Sequence, residues 1–167
     1  MALSIKKILE IIGVVKTASQ LYIVAEQIPG IAAADAFDAN DAVGTVFAIR
    51  VPHVGIIENF KLIDPDDDTL ALTAHIFKKQ FIGAASDAAF TISAADSLNF
   101  VTSVLFDSPL DIGSAKVYEE VGSSYYEAPE GLLWCQCSTT GTPNIAAGKS
   151  PVLVVCIRAG VKAQRDV

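Results

Sequence analysis

Asp64, Asp66 and Asp68 stand at alternate positions in the stretch LIDPDDDTLALTAHIF, residues 62–77. That one-three-five spacing is how a calcium loop presents hard carboxylate oxygens to a cation. A calcium-binding helix-loop-helix starting at Asp64 would also require Gly at its sixth place and a bidentate Glu at its twelfth. Those places hold Thr69 and His75, and the flanking runs are strand-like rather than helical. The residues therefore predict a solvated acidic hairpin, with Pro65 presetting the backbone of a type I turn. Asp64, Asp66 and Asp68, with Asp67 between them, remain weak candidates for a different cation site.

Other residues invite chemistry in the same way. His53 and His75 are the two histidines, and a Ser-His-Asp hydrolase would have to use one of them. No G-x-S-x-G nucleophile elbow accompanies them. Both stand at strand-like positions, and we expect polar strand residues there. Zinc could draw on the histidines with Cys135 and Cys137, but a C-x-C pair lacks the two-to-four-residue gap of structural zinc sites. Gly148-Lys149-Ser150 ends like a phosphate-binding loop, yet Pro143 stands where its first glycine belongs. Pro151 and a β-branched run then replace the helix whose free amides would cradle phosphate. The reading is of a non-enzymatic protein with no catalytic residue and no cofactor. Tyr118, Tyr125, Tyr126 and Trp134 are residues a sugar-binding sandwich uses for stacking. Trp134, inside LLWCQC, reads as core or interface. Tyr125 and Tyr126, in the loop-like SSYYEAPEG, read as contact residues for a protein or a glycan.

The elements that must carry these residues are mostly strands. Short runs rich in Val, Ile, Leu, Phe and Thr recur along the chain: QLYIVAEQI, AVGTVFAIRV, HVGIIENFKLI, TLALTAHIF, FVTSVLF, KVYEEV, GLLWCQCST and PVLVVCIRA. Pro, Gly, Asn and Asp punctuate them, which is the pattern of an antiparallel β-sandwich or jelly roll. Two helical signals interrupt it. Ile5, Ile8, Leu9 and Ile12 fall at i, i+3, i+4 and i+7, one face of an amphipathic N-terminal helix. Ser93 and Asp96 have the spacing of a capping box, predicting a short crossing helix near 94–99. We expect two parts: an N-terminal helix or arm over 1–36, which includes the Ala-rich stretch 31–39 in part, and a sandwich over 37–167.

Composition narrows the partners. Of 167 residues 51% are hydrophobic and 19% charged, an apolar balance that points to surface shared with other chains or to buried strands. The net charge of −7 without a basic cluster argues against nucleic acid. No apolar run approaches the roughly 20 residues of a membrane span, and Glu10 interrupts the only leader-like stretch. Three cysteines without a framework read as reduced thiols of a protein assembled in a cytoplasm. Cys135 and Cys137 would face the same side of a strand.

Four stretches occur in a telling order: FDANDAVGTVFAI (37–49), FKLIDPDDDTLALTAHIF (60–77), DAAFTISAADSLNFVTSV (87–104) and LLWCQCSTTGTPNIAAGKSPVLVVCI (132–157). Together they resemble a family of tailed-bacteriophage virion proteins, the capsid decoration or cement proteins. The likeness covers roughly residues 37–157, while the first 30 residues depart from it. It implies a jelly-roll subunit without an active site, partnered by the major capsid protein and by itself as a homotrimer. It also implies a place on the capsid surface of a virion assembled in a bacterial cytoplasm. On that reading Ile5, Ile8, Leu9 and Ile12, with Ile28, Ile31 and Phe37 of the arm, are the expected interface residues. The competing expectation is a glycan-binding sandwich of a tail or receptor-binding apparatus.

Overall fold

A computed structural model describes residues 20–31, 35–66, 70–146 and 148–160. The early strands are β1 (Leu21–Gln27), β2 (Asp35–Ala36), β3 (Ala42–Arg50), β4 (Val54–Asp64) and β5 (Leu72–Phe77). A one-turn helix, α1 (Ala94–Ser97), leads into β6 (Phe100–Phe106), β7 (Leu110–Asp111) and β8 (Lys116–Glu127). The chain closes with β9 (Leu132–Thr139), β10 (Asn144–Ile145) and β11 (Val152–Ala159). One antiparallel sheet runs β1-β11-β4-β8-β7 and the other β3-β9-β5-β6, with β10 and β2 as a separate pair. Counting only the long strands in chain order, the sheets read first-eighth-third-sixth and second-seventh-fourth-fifth. That interleaving is the double-sheet jelly roll.

Alternation along each strand builds the core between the sheets. Leu153, Val155 and Ile157 of β11, Ile57, Phe60 and Leu62 of β4, and Tyr118 and Tyr126 of β8 face inward from one side. Val43, Phe47 and Ile49 of β3, Leu133, Cys135 and Cys137 of β9, and Leu72, Ala74 and Ile76 of β5 meet them from the other. Each fully buried large side chain contributes about 1.5–3 kcal/mol by leaving water. Between Ile57 and Asn59 the pairing with β8 shifts register. An odd-numbered inward set thereby becomes an even-numbered one, and β4 stays inward-facing through its twist.

Several expectations change here. The sandwich begins at Leu21 rather than at 37, because β1 pairs with β11 along its whole length. Ile28 and Phe37, expected on a contact arm, are 0% and 1% exposed inside this chain's own core, and Ile31 packs against them. Their apolar side chains found a nearer partner than another subunit. Ile5, Ile8, Leu9 and Ile12 lie outside the described residues. α1 forms where the capping box predicts, and Ser93 Oγ accepts from Asp96 N at 3.0 Å. The return contact differs: Ser93 Oγ donates to the Asp96 carboxylate at 2.7 Å, rather than the carboxylate reaching the Ser93 amide. The acidic stretch is no hairpin, since β4 and β5 belong to different sheets. Among the described residues no helix is long and apolar enough to cross a membrane.

Gly44 shows how tightly the first turn of β3 is built. It sits at φ +69°, and an added Cβ would collide with the Pro29 carbonyl oxygen and approach Ile28 Cγ2 to 2.8 Å. Gly44→Ala should lose about 1–3 kcal/mol from the left-handed backbone alone, and more from the clash. Urea unfolding of the variant against the parent protein measures that loss.

Candidate functional site

The two sheets treat their outer faces differently. On the sheet β3-β9-β5-β6, residues 78–93 fold back over β3, β9 and β5. Ala42 N donates to Ala88 O at 2.8 Å, Asp87 N to Ala42 O at 2.9 Å and Phe90 N to Asn40 O at 2.8 Å. Under this strap Gln136 and Ser138, on the outward side of β9, are buried. Gln136, 0% exposed, clamps the strap: Nε2 donates to Ala84 O at 2.7 Å and Gly44 O at 3.1 Å. Its Oε1 accepts from Ala84 N at 3.2 Å. The absence of a side chain at Gly83 is what lets the amide come this close, because a Cβ there would overlap Gln136 Oε1. A buried amide left unpaired costs about 1–3 kcal/mol, so this satisfied clamp specifies where the strap lies.

His75 sits under the other end of the strap. Its ring stacks on Phe90 with centroids 4.3 Å apart, and Nε2 lies 2.9 Å from Ser138 Oγ. A histidine against a serine hydroxyl is the core of a hydrolytic dyad, but here the hydroxyl is enclosed and the ring is covered by Phe90. Ser138 is 7% exposed. Burial lowers the His75 pKa to about 4, so the imidazole is neutral at pH 7 and its bond to Ser138 is that of a neutral ring. His53 is elsewhere, with Nδ1 3.2 Å from Ala128 O.

The aspartates act as local braces. Asp64 is buried at the end of β4, and its Oδ1 accepts from Asp66 N at 3.0 Å, an Asx turn. Asp66 Oδ2 accepts from Ala146 N at 2.7 Å, and Lys149 Nζ donates to Pro65 O at 3.1 Å. The carboxylates and the lysine of the Gly-Lys-Ser tripeptide thus tie the inter-sheet crossing to the β10–β11 loop. Asp68 lies outside the described residues. Among the described residues no three His, Cys, Asp or Glu side chains gather as a metal site. Cys135 and Cys137 are free thiols buried side by side on the inner face of β9, and burial raises the Cys135 pKa well above that of an exposed thiol.

The tyrosines divide. Tyr118 is in the core, and Trp134 is half-buried on β9, paired with Phe77 and Ala48 in the sheet opposite Tyr125. Tyr126 turns its ring inward, with its hydroxyl enclosed against Gly55 and Ile157. Tyr125 is 60% exposed, and its hydroxyl donates to Glu127 Oε1 at 2.7 Å. That bond raises the Tyr125 pKa, which keeps the phenol a neutral donor. Lys78, Phe100, Val101, Tyr125, Tyr126 and Glu127 line an open groove of about 280 Å³ between the ends of β6 and β8. Glu127 also borders a second groove of about 220 Å³ with His53, Val54 and Pro129. Sequence reasoning found Tyr125 but not Lys78, Phe100 or Glu127, which are distant along the chain and meet only in the fold. Gln136 left one signal, a lone amide inside the apolar strand LLWCQC.

The fold thus defines a jelly-roll β-sandwich with one face partly strapped and, among the described residues, one face open. No protein-family model and no curated protein sequence matches this chain.

His75 makes the strap sensitive to acid. Its pKa is about 4 in the folded chain against 6.5 for the free group. The unfolded chain therefore takes up the proton first, and the contribution to stability is present above pH 6.5 and lost as pH falls towards 4. Comparing urea midpoints from pH 7 to pH 4, His75→Phe should show a shallower decline than the parent. Parallel declines would show that His75 carries none of the linkage.

Proposed function

We propose that this protein is a non-enzymatic virion component that decorates and stabilises a bacteriophage capsid, binding the major capsid protein at the particle surface. The observation that carries the reading is the open outer face of the sheet β1-β11-β4-β8-β7. Leu21 and Ile23 of β1, Leu110 of β7 and Val121 of β8 point outward from it with exposures of 60%, 67%, 67% and 87%. Ile56 and Tyr125, paired across β4 and β8, extend the same surface. Exposed apolar area of this kind marks a surface that meets other protein. The ion pairs Lys61–Glu119 and Arg158–Glu58 on that face supply polar points that would orient a partner. The resemblance of residues 37–157 to decoration proteins, and the jelly-roll topology common in viral shells, support the same conclusion.

Decoration works by mass action. A subunit bound to the assembled shell stabilises it by RT ln(1 + [L]/Kd), about 4 kcal/mol per site at a thousandfold excess over Kd. Purified protein added to shells stripped of it should bind saturably in many copies and raise the temperature at which the shells rupture. Val121→Lys should weaken that binding at least tenfold. Shells that neither bind the protein nor gain thermal resistance would sink the proposal.

The groove beside Tyr125 favours a second reading, a glycan-binding module. Tyr125 and Phe100 offer ring faces for stacking, while Lys78 and Glu127 offer a donor and an acceptor for hydroxyls. On a glycan array the protein should then retain a subset of saccharides, and Tyr125→Ala should release them. An array without binding leaves decoration as the single reading.

A further inference from the structure

We infer that β1 is a docking edge for a second copy of this chain, joining two five-stranded sheets across a two-fold axis. The inference is independent of the capsid reading. In β1, Gln20 O accepts from Ala159 N at 3.0 Å at one end, and Ile28 N donates to Pro151 O at 2.9 Å at the other. Between them the register with β11 runs without a shift from Leu21–Arg158 to Gln27–Val152. The even-numbered residues therefore turn their backbone N–H and C=O groups toward β11. Leu21, Ile23, Ala25 and Gln27 turn theirs the other way, and among the described residues no strand pairs with that side.

Natural sheets protect such edges with proline, lysine, bulges or very short strands. The sequence LYIVAEQ contains none of these over its seven residues. At the opposite edge of the same sheet the two-residue β7 pairs only with Lys116 and Val117, and the rest of that edge is β8, which carries Glu119 and Glu120. The start of β3 is covered by the strap through Ala88. β6 is an edge of the other sheet and equally long, but its ladder with β5 shifts register at Phe77, a bulge that turns an edge aside. β1 is a long, apolar edge in unbroken register, with Glu26 as its one charged side chain.

The strand is also complementary to itself. In an antiparallel pair centred on Val24, Leu21 faces Gln27 of the partner subunit and Ile23 faces Ala25 of the partner subunit. These odd-numbered pairs are the ones whose backbone groups point outward, and together they form about eight ladder hydrogen bonds at two per facing pair. Glu26 is the only charged residue of β1. It faces Tyr22 of the partner subunit, so an acid meets a hydroxyl donor and never another acid. Leu21 and Ile23 then continue one apolar outer face into the next, and the contact is isologous, as a two-fold dimer requires. A threefold ring would need two different edges and is not what this strand offers.

Light scattering coupled to size exclusion of the full chain tests the inference. The parent protein should elute with twice the mass of one chain over a dilution series. Ala25→Pro removes an outward N–H while leaving the β11 side, carried by Val24 and Glu26, in place, and should halve that mass. Ile23→Lys, a change at an exposed side chain, should do the same and is read alone if the proline variant fails to fold. A parent protein of single or triple mass overturns the inference. So does a dimer that a folded Ile23→Lys variant leaves intact.

Discussion

From Cys135 to Thr139 strand β9 is buried on both faces, and the rest of the molecule is arranged around that constraint. Its inward residues Leu133, Cys135 and Cys137 join the core, and its outward residues Gln136 and Ser138 lie under the strap. A strand between two layers must be apolar on both sides or have every polar group paired. Here the amide of Gln136 and the hydroxyl of Ser138 are paired, with the strap backbone and with His75. The long connection from β5 to α1 is held in place as a consequence. That connection delivers Lys78 to one side of the groove and sets the start of β6, which brings Phe100 beside Tyr125.

The two sheets consequently have different roles. The strapped sheet has spent the outer face of β9 and the neighbouring part of β5 on intramolecular contacts, and Gln136 and Ser138 are enclosed there. Ser103 and Leu105 of β6 stay exposed. The other sheet has no such cover among the described residues, and its outer face and its β1 edge stay available.

Much of the architecture was legible in the sequence, and the reasons are local. Strands such as PVLVVCIRA and HVGIIENFKLI declare themselves by β-branched alternation and by the turn residues around them. Ser93 and Asp96 announced α1 because a cap depends on residues three apart. The candidate site was far less legible. Ile28 and Phe37 looked like contact residues because nothing in an apolar residue says whether its partner lies in the same chain. The aspartates at 64 and 66 looked like ligands because spacing alone cannot distinguish a cation from a backbone N–H, and it is Asp66 N and Ala146 N that they meet. Trp134 and Tyr125 were both of the type a sugar-binding sandwich stacks on, and strand order alone placed them in different sheets.

The sequence by itself determined the class of fold, since alternation with a period of two and regular turns commit a chain of this composition to a sandwich. It also determined the placement of α1 and the pairing of Cys135 with Cys137 on one strand face, because these depend on neighbours in the chain. Only the tertiary structure decided that β1 belongs to the sheet, that Gln136 clamps a strap and that Glu127 joins two grooves. Each of those depends on residues tens of positions apart, brought together by strand order. Strand order is set by the summed burial of a whole core, and no short stretch of the chain encodes it.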